Sequence, residues 1–215
     1  MKRLDAKLTK IRAGQYKSSD FIIADAKDGD IGFGVRAPGL GKPRSVHLQA
    51  IRDMTKSGLV DVMLLSASSC QILTEEGLFQ DNPDITPAIR LNDTTDIWSA
   101  RGGRYRDEPS RHHRTARVGQ AREYADLGLY SITFSNQRDI DALNAEAYSD
   151  FRAEANTHNM RHFLEVFNPA FDIRLKDSAD LGGFINDNIV RTLAGVMQED
   201  FPAFLTLQYN GPRAM

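Results

Sequence analysis

The chain is poor in cysteine. Cys70 is the only one among 215 residues, so no intrachain disulfide can form and a zinc site would lack the usual thiolate clusters. That usage suits a reducing cytoplasm. A surplus of positive charge is missing too. The 27 Lys plus Arg face 29 Asp plus Glu, a net charge of -2, which gives no overall support to binding nucleic acid or an anionic membrane. No apolar run approaches the roughly 20 residues a membrane span needs. Met1 to Lys10 mixes charge with short apolar side chains and lacks the apolar stretch of a signal peptide. The sequence shows no repeat and no low-complexity tract. It holds neither a Gly-x-Ser-x-Gly elbow nor a Gly-Lys-Ser/Thr phosphate loop, and Gly32-Phe33-Gly34 is too short for a dinucleotide fingerprint. His112-His113 has no partner at metal-ligand spacing. No metal and no cofactor is therefore expected.

What remains is an ordinary globular composition, 41% hydrophobic and 26% charged, in a chain long enough to bury one substantial core. Short apolar runs alternate with helical patterns. The runs are Phe21–Ala24, Val60–Leu65, Ala88–Leu91, Tyr130–Phe134, His162–Phe167 and Phe204–Tyr209. Several lack strict polar alternation and so read as strands buried on both faces. Residues 44–57, 67–79, 114–125, 139–158 and 183–198 carry apolar side chains at helical spacing. Gly58 and Gly128 mark turns before the second and fourth strands, and Asn168-Pro169 follows the fifth. Strand alternating with helix predicts βαβ units and a parallel sheet. A (β/α) barrel is favoured over an open sheet, because each predicted strand ends in polar residues, where barrel active sites form.

The first of these ends is the most informative. Asp25, Lys27, Asp28 and Asp30 place three carboxylates and an ammonium directly after an apolar strand. In extended geometry Asp25 and Lys27 share a face. If that face is the barrel interior, the neighbouring carboxylates hold Lys27 charged, suited to acid or electrostatic work, whereas a neutral lysine would form an imine. The plain alternative is a solvated, ion-paired turn. Asp25, Lys27 and Asp30 resemble the Asp-x-Lys-x-x-Asp pattern of the orotidine monophosphate decarboxylase and hexulose phosphate synthase superfamily. Over residues 20–212 the order of strand ends resembles the class I aldolase-type barrels, namely the deoxyribose phosphate, fructose bisphosphate and tagatose bisphosphate aldolases. The resemblance implies an aldolase-type TIM barrel with Asp25 as the acidic residue ending the first strand. It also implies an imine-forming lysine on the sixth strand, where this chain has Thr206, in Leu205-Thr206-Leu207-Gln208-Tyr209-Asn210.

Other stretches add candidates. Residues 101–117 are rich in arginine and form a predicted loop over the active face, either a lid for a phosphorylated substrate, a subunit contact or a solvated loop. Glu165, among apolar neighbours in the fifth strand, is a candidate acid or base, or the ion-pair partner of Arg90. Ser66 to Ser69 reads as a helix cap that could also hold an anion. Cys70 reads as a buried small residue.

The expectation is a carbon–carbon lyase acting on a small phosphorylated sugar or keto acid. Asp25, Lys27, Asp30, Glu165 and Tyr209 would do the chemistry. Asp28, Ser66, Arg90, Asn92, Asn168 and Thr206 would hold substrate. The other reading, favoured by Thr206, is a barrel that binds without turnover. A full barrel takes about 250 residues, and six strands are predicted by Met215. The single domain of residues 1–215 is thus expected to be a truncated barrel of about six units, or one left open with an edge that needs a partner, a second copy included.

Overall fold

A computed structural model describes residues 1–32, 44–98, 100, 102–176 and 180–211. Phe33, Gly34, Arg101 and Pro212 lie outside these. The elements run α1 (Arg3–Arg12), β1 (Ala24–Lys27), α2 (Gly29–Gly32), α3 (Arg44–Ser57), β2 (Val62–Leu65), α4 (Ala67–Glu75), α5 (Leu78–Asp81), β3 (Thr86–Arg90) and β4 (Asn92–Thr94). They continue with β5 (His112–Arg114), α6 (Val118–Ala121), β6 (Leu127–Thr133), α7 (Arg138–Thr157), β7 (Arg161–Phe167), α8 (Leu181–Leu193) and β8 (Leu205–Leu207). Strands β1, β2, β3, β6, β7 and β8 form one parallel sheet in that order. The sheet curls into a half-barrel. Among the described residues no helix is long and apolar enough to cross a membrane.

Period-2 alternation gives the sheet two faces. Met63, Leu65, Ile89, Tyr130, Ile132, Leu164 and Val166 face the helices and pack with Leu48 and Ile51 of α3, Leu73 of α4, Phe151 of α7 and Ile185 of α8. The other, inner face carries Val62, Leu64, Ala88, Leu127, Leu129 and Phe163, which pack with Leu4 and Leu8 of α1. Both faces are dry at the centre, which is why β2, β3 and β6 read as nearly continuous apolar runs.

Helix α1 has no counterpart in the sequence reading. It buries only Leu4 and Leu8, one turn apart, and its remaining positions are largely charged. Those charges tie it to the N-terminal end of the sheet. Lys7 Nζ lies 2.7 Å from Asp61 just before β2, and Arg161 at the start of β7 donates to Asp5 at 2.7 Å. Asp5 in the first turn and Lys10 and Arg12 in the last also suit the helix dipole.

Several boundaries differ from the sequence reading. The run expected as one helix over 67–79 breaks into α4 and α5, because Gly77 takes a left-handed φ of +83°. Helix 114–125 shortens to the single turn of α6. Gly128 is not a turn but the second residue of β6, where the side chain of Leu91 occupies the space a Cβ would need. Part of the basic 101–117 loop is a strand. β5 pairs antiparallel with β4, His113 opposite Asp93, in a hairpin beside β6.

Candidate functional site

The first strand begins three residues later than its apolar run predicts. Phe21 and Ile23 are exposed. The backbone is anchored at Ile23, whose N–H donates to Asp61 Oδ2 at 2.8 Å and whose carbonyl accepts from Asp61 N. The strand proper is Ala24-Asp25-Ala26-Lys27. Its register with β2 puts Asp25 beside Met63 and Lys27 beside Leu65, residues of the helix-side core. Asp25 and Lys27 therefore lie on the face away from the half-barrel interior, paired with each other at 2.8 Å. The Lys27 carbonyl lies 3.1 Å from His47 Nε2 of α3. Asp28, next along the chain, reaches the buried Arg90 instead.

Arg90 organises the inner face. It ends β3, and 7% of its side chain is exposed. Its Nε donates to Asp28 Oδ2, Nη1 to Ser131 Oγ at 2.9 Å and Nη2 to Glu165 Oε2 at 3.1 Å. Asp93 Oδ1 lies 3.9 Å from Nη1, and the ring of Phe167 sits 5.9 Å from the guanidinium. Ser131 Oγ also donates to Glu165 Oε2 at 2.8 Å. Ser131 and Glu165 are register partners on β6 and β7, so the same layer of the sheet delivers both. One oxygen of Glu165 is thus fixed twice, and Oε1 has no hydrogen-bond partner among the described residues.

The protonation states follow from this packing. Burial raises Glu165 above the ordinary carboxyl range, and the Arg90 charge and the Ser131 hydroxyl only partly offset it. Burial also raises Asp93, against the pull of the Thr94 N–H and Arg90. For Arg90, burial opposes the charge, but Asp28 and Glu165 outweigh it and hold the guanidinium firmly protonated. The result is a fixed cation beside a carboxyl that keeps its proton unusually well, at the C-terminal ends of parallel strands. Such a pair can bind a polar substrate and move a proton.

The remaining candidates are spread more widely. Asn92 uses its amide to replace a strand partner, donating to Ser131 O at 2.8 Å and accepting from Ser131 N at 2.6 Å. It thereby locks the β4–β5 hairpin onto β6 beside Arg90. Asp30 accepts from the Ser66 and Ser69 hydroxyls at 2.7 and 3.0 Å. Ser66 is the N-cap of α4 and also accepts from Ser69 N, so this pair sits at a helix start. Asn168 and Asn210 exchange hydrogen bonds at 2.7 and 3.0 Å across the ends of β7 and β8. Thr206 is the register partner of Glu165 and shares its face, but it is exposed on the edge strand. Tyr209 is 70% exposed. Cys70 is buried, and burial pushes its thiol up to about 11, which suits an inert core residue.

The structure thus gathers Asp28, Arg90 and Glu165 with Asn92 alongside and Thr206 in register. It leaves Asp25 with Lys27, Asp30 with Ser66, and Asn168 in separate places. Ser131 and Asp93 belong to the cluster without having been singled out. Ser131 and Thr133 are polar residues at period 2 in an apolar run, a readable signal of an inward-facing polar layer. The basic segment is partly anchored. Arg114 pairs with Glu154 of α7 and lies 4.9 Å from the Phe151 ring, while Arg104 pairs with Asp107 at the surface.

No protein-family model matches the chain, and no curated protein matches it significantly.

Proposed function

We propose that the protein is a carbon–carbon lyase of aldolase type, acting on a small phosphorylated sugar or keto acid, with the Arg90–Glu165 pair at its centre. The observation that carries this reading is the Glu165 carboxyl. It is half-buried, its affinity for a proton is raised by burial, and it is anchored through one oxygen, with the other free for substrate. In bond cleavage Glu165, once ionised, takes the proton of the hydroxyl on the carbon being released, which becomes a carbonyl. The electron pair of the broken carbon–carbon bond passes to the neighbouring carbonyl as an enolate. The Arg90 guanidinium supplies the positive charge beside which that enolate forms. Glu165 then returns the proton to carbon. Asp28 and Ser131 hold Arg90 in place. The arginines of the β4–β5 hairpin segment offer forks for the phosphate.

This assignment moves the chemistry from Lys27 to the inner face. Lys27 is ion-paired on the other side of the sheet. One observation favours binding without turnover: Thr206, not a lysine, stands in register with Glu165. Borohydride trapping with a panel of aldehydes and keto sugars, followed by peptide mass spectrometry, tests the proposal. Turnover without an adduct is expected. A lysine adduct would replace the acid–base reading with an imine enzyme, and the absence of both would leave binding alone.

A further inference from the structure

Away from the inner polar layer, one cavity gathers charged side chains that the chemistry above does not use. It lies beside the start of β7 and measures about 300 Å³, the lower end of the range for small-molecule sites. Arg152 of α7 and Asp200 of the short turn Gln198–Asp200 line it. So do Arg12 at the end of α1, Glu199 beside Asp200, and His162 and Phe201.

Neither sign of charge is balanced from within the protein. The Arg152 guanidinium lies 5.0 Å from the centre of the Tyr148 ring, and its nitrogens make no hydrogen bond among the described residues. Asp200 Oδ1 accepts from the Asn156 amide at 3.0 Å, a neutral partner that leaves the carboxylate uncompensated. Arg12 donates to the Ala203 carbonyl at 3.3 Å. None of Arg12, Arg152, Glu199 and Asp200 is in ion-pair contact with any described residue. Arg161 also lines the cavity, but it is already paired with Asp5 and Asp126. His162 adds no net charge at pH 7, since burial depresses it to about 4. Arg152 and Asp200 act on it with opposite effects, so both signs stand near the same part of the wall.

This arrangement selects the ligand. An anion would meet two carboxylates and a cation two guanidiniums, each a like-charge contact that costs affinity. A small molecule carrying both charges answers both pairs. We propose that this cavity binds a free amino acid as its zwitterion, with the carboxylate towards Arg152 and Arg12 and the ammonium towards Asp200 and Glu199. A guanidinium fork matches a carboxylate, and an ammonium brings three donors to the acidic oxygens. Phe201, 47% exposed, offers apolar surface to the side chain of the ligand.

Isothermal titration calorimetry of the full chain with each of the twenty free L-amino acids tests this. Saturable binding of at least one is expected, with a Kd below about 1 mM. The same amino acid with its amine acetylated, or with its carboxylate amidated, should bind about 10–100-fold more weakly, because each form loses a charge-assisted contact. That comparison uses the unaltered protein and so holds whether or not a variant folds. R152M and D200N, with folding checked by circular dichroism, should weaken binding by a similar factor. No binding across the panel, equal binding of the blocked forms, or undiminished binding in either folded variant would overturn the proposal. Inorganic phosphate bound more tightly than any amino acid would mark a plain anion site and overturn it too.

Discussion

Replacing Arg90 with methionine should be the most destabilising single change in the inner polar layer. Methionine keeps much of the side chain's length but leaves two acidic partners, Asp28 and Glu165, with only 8% and 16% of their side chains exposed. Removing one member of a buried ion pair costs about 3–5 kcal/mol, because the remaining charge keeps its desolvation penalty. In a domain of this size that is a fall in Tm of roughly 6–20 °C. The cost should depend on pH. Without Arg90 the Glu165 carboxyl, already raised by burial, loses the charge that partly offsets it and shifts further upward in the folded state. Its protonated form then fits the fold, and stability is lost as pH rises through the shifted value. Urea unfolding at pH 7 and pH 5 reads both effects. The penalty should be large at pH 7 and smaller at pH 5, and adding Glu165→Gln should recover part of it. A loss below about 1 kcal/mol, equal at both pH values, would refute the claim that Arg90 neutralises a buried acidic layer.

Two further perturbations probe the scaffold. His162 is buried against Tyr148, with its Nε2 2.8 Å from the hydroxyl, and burial depresses it from 6.5 to about 4. Arg152 also disfavours its proton, and Asp200 opposes this. A depressed histidine contributes stability that is present above the unfolded value and lost as pH falls towards the folded one. The unaltered protein should therefore lose about 3 kcal/mol more than His162→Gln between pH 6.5 and pH 4, read by urea titration; equal acid sensitivity would count against the burial. Leu4→Ala should cost about 2–5 kcal/mol, because Leu4 is fully buried beneath the inner face. A neutral effect by thermal unfolding would mean that α1 does not complete the core.

The alternation of strand and helix was readable because the central strands are dry on both faces, which leaves near-continuous apolar runs. The parallel order followed from it. Edges and caps were harder. Phe21–Ile23 is apolar yet lies outside β1, and shifting a strand changes which of its residues face inward. The register of β1 with β2 turns Asp25 and Lys27 to the helix-side face and leaves Asp28 to reach Arg90. The ion pairing of Glu165 with Arg90 was legible as one of two readings, because an isolated carboxyl among apolar neighbours demands a counter-charge. The hairpin was not legible, since His112-His113-Arg114 carries no apolar alternation and is held in the fold by Asn92, by Asp93 opposite His113, and by Arg114 on α7. Helix α1 was hidden for a similar reason: two leucines on a charged helix make a faint stripe, and their partners lie far along the chain.

The central claim is that Glu165 moves the proton. Turnover of a panel of phosphorylated ketoses, aldoses and 2-keto acids should be followed for the unaltered protein, Glu165→Gln and Lys27→Ala, with folding checked by circular dichroism. The account predicts turnover of at least one substrate, a fall of about 10²–10⁴-fold in folded Glu165→Gln, and a change of no more than a few-fold in Lys27→Ala. A folded Glu165→Gln protein that turns over as fast as the unaltered one, or an unaltered protein that turns over nothing, would contradict it.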